Sequence, residues 1–365
     1  MIYLDNAATT KPRFEVVEAF TKAAMVYGNP NSQHLLGAEA YEYIEMARKQ
    51  VAKLINAEPE QIIFTSSGSE ANNLAIKGFL ENNPDAKVVC NSAEHASMIE
   101  SCLHSRNLKT VNPFLNLTQK DIADADIVSV MHTNNETGRK YDIEKIGKLC
   151  HENNTVFVTD AVQALGHCNI DVKKIGCDMM SMSSHKLHGI KGTGALYVKD
   201  KALIRPLING GGTQEYGLRG GTQNVPGIVA FGKACELCNP EESNNYIKRL
   251  REEFLRSFSA PDVRILTIGG DPRIIPLTIK DVDAETLVFR LAVKEICVSA
   301  GAACKSGSSL PRTALIAQGY TAEEARCTIR ISFSEDNLLT EVKKAAREIS
   351  KTIIELREDR TCLSE

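Results

Sequence analysis

The chain has no long apolar run and no excess of one sign of charge. Its 365 residues contain no stretch of the roughly 18 apolar residues that a membrane-spanning helix needs. No apolar segment of the secretory-signal type follows Met1. The net charge of −3 gives no electrostatic support for binding nucleic acid or an anionic membrane. These absences predict a cytoplasmic protein without a membrane partner and without direct nucleic-acid binding.

The cysteines also lack the regular spacing of a disulfide framework. Eleven are scattered along the chain, which in a protein this long is typical of reduced thiols in a cytosol. There is neither an internal repeat nor a low-complexity linker. Because 43% of the residues are apolar, the chain can bury one large core and a smaller one. Two firmly packed domains are therefore predicted.

Strand-like and helix-like segments alternate through the first two thirds of the chain. Strands are predicted at 61–64, 87–90, 127–131, 155–159, 179–182 and 195–198. Helices are predicted between most of them, among them about 96–106 and 143–153. This alternation predicts βαβ units and a mainly parallel sheet covered by helices on both faces. From about residue 246 the pattern changes to a predicted strand at 274–280, a helix at 284–293, strands at 296–299 and 328–333, and a closing helix at 338–357. This order indicates a second domain of the α+β type.

A lysine follows one of the predicted buried strands. The run 179–182 ends in Ser183-Ser184-His185-Lys186, and a glycine-broken turn leads to the next apolar run. A lysine between buried strands cannot easily keep its ammonium hydrated. A desolvated lysine amine forms Schiff bases with carbonyl compounds such as pyridoxal phosphate (PLP). Taken alone, the motif is far more typical of an ordinary loop lysine, and it is the other motifs of the chain that favour a functional role for Lys186.

Two further turns carry groups suited to the same ligand. Ser66-Ser67-Gly68-Ser69 lies between a strand and a helix, where amide and hydroxyl donors can bind a phosphate. A plain helix cap is the alternative, and the P-loop lysine is missing. Asp160 ends an apolar strand, where a carboxylate can keep a pyridine nitrogen protonated. An Asx turn or a helix cap would explain Asp160 as well.

Polar residues follow three other predicted strands. His95 comes after the strand 87–90 and can stack on a flat ring or transfer protons. Asn135 belongs to the polar loop 132–138. Cys304 lies in a loop of small residues, 299–309, where the neighbouring Lys305 favours the thiolate. Arg330 lies in an apolar run, where a bidentate carboxylate partner would offset its burial.

Together these motifs resemble those of the cysteine desulfurases, PLP enzymes of the class V aminotransferase group. The similarity is greatest to the NifS/IscS-like branch, which supplies sulfur for iron–sulfur clusters and tRNA thiolation. It extends from residue 3 to the closing helix, and the order and spacing of the motifs carry it. It implies the aspartate aminotransferase-like α/β fold of PLP-dependent transferases. The implied domains are a large PLP-binding domain, 15–245, and a small α+β domain, 1–14 and 246–365, with a mobile cysteine loop.

The resemblance also implies roles for individual residues. Lys186 matches the lysine that binds the PLP aldehyde, His95 the imidazole stacked on its ring, and Asp160 the partner of the pyridine nitrogen. Arg330 matches the arginine that binds the substrate carboxylate, and Cys304 the nucleophile that receives sulfur as a persulfide. The other matching positions are Gly68, Ser69, Ser183 and His185 near the phosphate, Gln163 and Asn135 near the phenolic oxygen and the substrate, and Thr222 near the phosphate of a neighbouring subunit.

The implied reaction converts L-cysteine to L-alanine, with the sulfur passed from Cys304 to an acceptor. The implied partners are a second copy of the chain and a sulfur acceptor, either a cluster scaffold or a tRNA-thiolation protein. Another class V enzyme remains an alternative: a selenocysteine lyase, a cysteine sulfinate desulfinase or an aminotransferase. A non-catalytic protein that keeps the fold as an assembly partner is a second alternative. Cys304 argues against an aminotransferase, and intact Lys186, Asp160 and His95 argue against the non-catalytic protein.

The sequence departs from the family pattern at several site positions. The usual Ser-Gly-Ser-Ala-Cys-Thr-Ser is Ala-Gly-Ala-Ala-Cys-Lys-Ser over 300–306, so that Lys305 replaces a hydroxyl. Ser69 stands where threonine is common, and Tyr216 where arginine is frequent.

Overall fold

The computed structural model describes residues 1–111, 117, 119–210, 212–265, 270–300 and 313–364. Within these residues the strands are β1 (Ile2–Tyr3), β2 (Ile62–Thr65), β3 (Lys87–Asn91), β4 (Asn107–Val111), β5 (Ile127–Ser129), β6 (Val156–Asp160), β7 (Met179–Ser183), β8 (Gly194–Val198), β9 (Val263–Ile265), β10 (Ile274–Ile279), β11 (Ile296–Cys297) and β12 (Thr328–Ser332).

The helices of the described residues alternate with these strands. They are α1 (Phe14–Ala24), α2 (Leu35–Leu54), α3 (Gly68–Asn82), α4 (Ala96–Cys102), α5 (Gln119–Ile122), α6 (Ile143–Glu152), α7 (Val172–Ile175), α8 (Val225–Glu236), α9 (Pro240–Ser257), α10 (Ala284–Val293), α11 (Thr313–Ala317), α12 (Ala322–Arg326) and α13 (Leu339–Ser364). Short 3-10 turns occur at Pro59–Gln61, Ser184–Lys186, Lys201–Leu203 and Gln214–Gly217. Of the helices in the described ranges, none has the length and apolar character required to cross a membrane.

The chain divides into two compact units. The large unit comprises Thr10–Thr133 and Tyr141–Pro240, and the small unit Met1–Thr9, Asn134–Lys140 and Glu241–Glu365. No sequence signal set the segment 134–140 apart from its neighbours. The domain boundaries at 14/15 and 245/246 stay a prediction.

The large unit is built on a seven-stranded sheet in the order β2-β8-β7-β6-β5-β3-β4 within the described residues. β8 runs antiparallel to β2 and β7, whereas the other neighbouring strands are parallel. The predicted mainly parallel sheet is thus confirmed. Since β3, β5, β6 and β7 run in one direction, their carboxyl ends meet at one edge of the sheet.

Both faces of this sheet are covered, as its nearly continuous apolar strands require. Successive strand residues point to opposite faces. Phe157 and Met180 belong to the same apolar cluster as residues of α2 and α8. Val158 and Met179, one position away, belong to a cluster with residues of α3 and α4.

The small unit has the predicted α+β character. An antiparallel sheet, β12-β10-β9, packs its apolar residues with those of α9, α10 and α13. β1 pairs in parallel with β11. The strand predicted to extend from 296 to 299 ends at Cys297, and Ser299 instead forms an isolated bridge with Arg330.

One predicted helix is shorter than expected, because an edge strand follows it. The helical pattern suggested 96–106, but α4 ends at Cys102 and β4 begins at Asn107. β4 pairs only with β3 among the described strands, and most of its residues are exposed or half-buried. An edge strand of this kind has no buried apolar face, so its sequence lacks the periodic signal of an inner strand.

A buried ion pair joins α2 to the turn Gln214–Gly217 and to β2 in the large unit. The Arg48 guanidinium of α2 and the Glu215 carboxylate are almost fully buried, with Nη1–Oε2 and Nη2–Oε1 distances of 2.8 and 3.0 Å. The carboxylate also accepts from the amide of Phe64 at 2.8 Å. Glu215 and Tyr216 both have left-handed backbones, with φ of 45° and 59°. The Tyr216 ring contacts Arg48 and Lys201, its centroid 5.2 Å from Cζ and 4.0 Å from Nζ.

Replacing Arg48 should therefore strongly destabilise the protein. Arg48→Met leaves the Glu215 carboxylate buried without its counter-ion, at an expected cost of about 3–5 kcal/mol in the free energy of unfolding. Lys22→Met breaks an exposed pair with Glu18 and should cost less than about 1 kcal/mol. Urea unfolding of both variants measures the difference. Equal effects of the two substitutions would contradict a structural role for the buried pair.

Candidate active site

The turn between β2 and α3 both caps the helix and presents amide donors. Ser67 is the N-cap residue, and its Oγ accepts from the amide of Glu70 at 3.1 Å. Gly68 and Ser69 are the first helical residues, so their amides have no intrahelical acceptor. A Cβ at Gly68 would lie 2.7 Å from Cγ2 of Val162 and 3.5 Å from Cβ of Ser183. The turn 66–69, called the cradle below, therefore lies against the turns that follow β6 and β7.

An ion pair joins this cradle to the segment that carries Thr222. Glu70 accepts from the Ser66 amide at 2.8 Å and from Nε of Arg219 at 2.9 Å. Burial alone would raise the pKa of Glu70, but the bonds from Arg219 and Ser66 lower it. Thr222, three residues after Arg219, is exposed on this chain. Sequence reasoning did not assign either member of the Glu70–Arg219 pair.

Asp160 lies at the carboxyl end of β6 and is only 4% exposed. One carboxylate oxygen accepts from the amide of Val162 at 2.9 Å, which is the Asx turn named above as the alternative explanation of Asp160. The other accepts from Nδ2 of Asn72, on α3, at 2.9 Å. Gln163 is buried in the turn that follows. Each carboxylate oxygen keeps a further lone pair, so the group can also accept from a ligand N–H.

His95 and Glu94 follow β3 at the same edge. His95 is the exposed N-cap of α4, and its Nδ1 accepts from the amide of Ser97 at 3.2 Å. Glu94 is 2% exposed and accepts a hydrogen bond from the amide of Met131. Burial, and after it the Asp160 carboxylate, raises the pKa of Glu94 well above its ordinary value. Glu94 therefore favours its neutral acid form.

Lys186 ends the 3-10 turn that follows β7, and its side chain is half-buried. Its carbonyl accepts from Nε2 of His167 at 2.8 Å, and the carbonyl of His185 accepts from Thr10 at 3.0 Å. These bonds fix the backbone that carries the lysine. Burial, followed by the charges of Lys186 and Lys191, lowers the pKa of His185 to about 4.

The large unit therefore gathers most of the predicted residues at one sheet edge. β7 pairs with β6, with Ser181 opposite Asp160, so the turns carrying Lys186 and Asp160 are neighbours. The residues placed at this edge are Gly68, Ser69, His95, Asp160, Gln163, Ser183, His185 and Lys186.

Arg330 belongs to the small unit and is 5% exposed. Its Nη2 donates to Oδ1 of Asp5 at 2.8 Å, and its Nη1 to the carbonyl of Asn135 at 2.8 Å. Burial was expected to be offset by a bidentate carboxylate. Among the described residues, Asp5 contacts one guanidinium nitrogen and the carbonyl of Asn135 the other, so a bidentate carboxylate partner stays a prediction. Nε of Arg330 is buried without a partner among the described residues.

Cys304 and Lys305 lie outside the described residues. Among the residues that are described, sequence reasoning gave no role to Asn72, Ser97 or Asp5. Asn72 and Ser97 are each near the start of a helix that follows a site turn, the only sequence signal they carry. Asp5 lies in the segment Tyr3-Leu-Asp-Asn-Ala-Ala-Thr-Thr, with which the resemblance to the family begins.

Comparisons with known proteins place the chain in a family. Residues 2–344 match the model described as "Aminotransferase class-V", and the chain belongs to that family. It is 39% identical to the mitochondrial cysteine desulfurase of Arabidopsis thaliana, over 98% of this chain and 83% of that protein. A solved structure titled "NIFS-LIKE PROTEIN" has a TM-score of 0.87 at 30% identity, covering 96% of this chain and 98% of the other. Another, titled "SspA in complex with cysteine", has a TM-score of 0.81 at 30% identity, covering 91% and 99%. The predicted resemblance and fold class are confirmed.

Members of this family depend on PLP, and the large unit has groups that fit it. The amides of Gly68 and Ser69 suit a phosphate. The Asp160 carboxylate suits a protonated pyridine nitrogen, and the Lys186 amine suits an aldehyde. A side chain larger than glycine at position 68 would meet Val162, so the cradle requires this residue.

The buried Glu94 predicts a pH-dependent difference in stability. Its pKa is higher in the folded than in the unfolded protein, so its stabilising contribution is present below about pH 4.5 and is lost as pH rises toward the folded value. Glu94→Gln keeps the shape and removes the titration. The variant's stability relative to the natural protein should rise with pH by up to about 1.4 kcal/mol per unit. Urea unfolding between pH 5 and 8 tests this, and a difference independent of pH would contradict a neutral Glu94.

Proposed function

We propose that this protein is a PLP-dependent cysteine desulfurase, which converts L-cysteine to L-alanine and transfers the sulfur through Cys304. The arrangement at the edge of the large sheet carries the proposal. A half-buried lysine, a buried carboxylate with two donors and a helix N-terminus with two amides follow the carboxyl ends of β7, β6 and β2, at one edge of the sheet. The similarity to proteins named cysteine desulfurases supports the choice of substrate.

The large unit is proposed to bind the cofactor. PLP, when bound, supplies an aldehyde for the lysine and an electron-accepting ring. Asp160 would hold a proton on the pyridine nitrogen, and His95 would lie against the ring. The Lys186 amine would bind the aldehyde and is the group that would accept the α-proton of the substrate. The proposed phosphate-binding positions are Gly68, Ser69, Ser183 and His185. Gln163 of the large unit, and Asn135 of the small unit, are proposed near the phenolic oxygen and the substrate.

The small unit is proposed to bind and cleave the substrate. Arg330, held by Asp5 and the carbonyl of Asn135, binds the carboxylate of cysteine. The thiolate of Cys304 attacks the substrate sulfur. A bond between the two sulfurs forms, the carbon–sulfur bond of the substrate breaks, and the β-carbon takes a proton. The products are alanine and a Cys304 persulfide.

The persulfide then passes its sulfur to an acceptor, for which we propose a cluster scaffold or a tRNA-thiolation protein. We propose a cytoplasmic location, which the scattered cysteines, without the regular spacing of a disulfide framework, support.

Cys304→Ser is the direct test of the proposed function. The variant should form alanine and sulfide from L-cysteine at a rate at least about a hundredfold lower, because the attacking thiolate is gone. It should still bind PLP, as its absorbance will show. Cys297→Ser, on β11, is the matched control and should remain active.

Mass spectrometric mapping after incubation with L-cysteine should locate the persulfide on Cys304. Rates measured with selenocysteine and with cysteine sulfinate, compared with the rate for cysteine, distinguish a desulfurase from a selenocysteine lyase and a cysteine sulfinate desulfinase. Full activity of Cys304→Ser would contradict the assigned nucleophile. A natural protein that forms no alanine from cysteine would contradict the proposed function itself.

We also propose a homodimer, which an exposed apolar surface supports. Large apolar side chains of α1, α2 and the segment between them face solvent, namely Phe14, Met25, Tyr27, Leu35, Tyr41 and Met46. Exposed apolar side chains that group on one part of a surface are typical of a protein–protein interface. Thr222 is exposed as well, as a residue that reaches a neighbouring subunit must be.

Light scattering tests the homodimer. The natural protein should have twice the chain mass of 40.0 kDa. Leu35→Asp places a charge on the proposed interface, where Leu35 is 88% exposed, and should give monomers. Phe289→Asp, at a 71% exposed position of α10, is the control and should remain dimeric. A monomeric natural protein would contradict the proposal.

A further inference from the structure

A hydrogen-bonded chain connects the Asp160 carboxylate to the His95 ring within the large unit. Nδ2 of Asn72 donates to Oδ2 of Asp160 at 2.9 Å and to Oγ of Ser97 at 3.0 Å. Oγ of Ser97 lies 2.8 Å from Nδ1 of His95. Asn72 and Ser97 come from the beginnings of α3 and α4, so two helices meet in this chain.

The orientation of the Asn72 amide is dictated by its neighbours. A flipped amide would point its oxygen at the Asp160 carboxylate, and two acceptors would face each other. In the observed orientation Oδ1 of Asn72 is buried without a donor among the described residues. The side chain is only 1% exposed, so an unpaired oxygen is costly. The two hydrogen bonds that the amide group donates, one to Asp160 and the other to Ser97, offset this cost.

This orientation sets the direction of the remaining bonds. Because Ser97 accepts from Asn72, its hydroxyl hydrogen is free to point at Nδ1 of His95. The amide of Ser97 also donates to Nδ1, at 3.2 Å. Nδ1 is therefore an acceptor, and a neutral His95 ring carries its proton on Nε2.

We propose that Asn72 and Ser97 are positioning residues that connect Asp160 and His95 by hydrogen bonds. Through these bonds they orient the His95 ring so that its Nε2–H faces the cofactor and substrate. The inference rests on the proposed function only for the identity of the cofactor and the substrate that His95 and Asp160 would contact. The chain itself and the His95 tautomer belong to the protein alone, so one of its tests needs no cofactor.

The first test measures the tautomer in protein freed of PLP. Ring-¹⁵N-labelled histidine is observed by NMR at about pH 8.5, where histidine rings are neutral, and His95→Gln identifies the His95 signals. The natural protein should show mainly the Nε2–H form. Ser97→Ala should lower the ratio of Nε2–H to Nδ1–H about fivefold, the effect of losing one hydrogen bond. Ser97→Thr keeps the hydroxyl and should restore the ratio.

Ser101→Ala is the matched control. Ser101 also lies on α4, and its hydroxyl donates to the carbonyl of Ser97 at 2.6 Å, without contact with the ring of His95. This variant should leave the tautomer ratio and the turnover unchanged. A tautomer ratio equal in the natural protein and in Ser97→Ala would overturn the proposal.

The second test measures turnover of L-cysteine by the PLP-loaded enzyme. Ser97→Ala should lower kcat about five- to tenfold, with KM changed less than about twofold, since the chain orients the ring and does not bind substrate. Asn72→Leu should lower kcat at least as much, and the double variant no further than Asn72→Leu, because both residues act in one chain. Additive losses, or a change confined to KM, would overturn the proposal. A natural enzyme that does not turn over cysteine would contradict the proposed function, and the tautomer measurement would then decide the inference alone.

Discussion

The large unit is organised around the need to satisfy a buried carboxylate at the end of β6. Asp160 is 4% exposed, and an ionised carboxylate in that position requires hydrogen-bond donors. One donor is the amide of Val162, in its own turn, and the other is Asn72 of α3. For Asn72 to reach it, α3 must begin directly against that turn. The missing side chain of Gly68 permits this approach, since a Cβ there would meet Val162. The same packing brings the first amides of α3 to the edge of the sheet.

Burial controls the charges at this edge. It raises the pKa of Glu94 and lowers the pKa of His185 to about 4, so both groups favour their neutral forms. Asp160 has two donors, and its negative charge contributes to the rise at Glu94. A cluster that contains several titratable residues thus carries less charge than its composition indicates. This distribution suits a site in which one carboxylate faces a ring nitrogen and a neutral imidazole lies near the phosphate.

Most of the central sheet follows from the sequence pattern, because inner strands and the helices between them have strong apolar periodicity. The starts of β3, β5 and β7 and the whole of α10 match their predictions. β4 and β1 were not predicted, since an exposed edge strand and a two-residue strand carry almost no periodic signal. The assignment of residues 134–140 to the small unit was not predictable either. Periodicity reports which face of a segment is buried, not which unit buries it.

The site shows the same division. By itself the sequence determined which chemical groups follow the strand ends: Asp160 after β6, Lys186 after β7 and the Gly68 turn after β2. Only the tertiary structure decided what holds them, because those partners come from distant parts of the chain. Asn72 is 88 positions from Asp160, and Asp5 is 325 positions from Arg330. A local pattern records the backbone conformation and the burial of its own segment. The direction in which a distant side chain donates a hydrogen bond depends on how helices and sheet pack, and no local pattern encodes that.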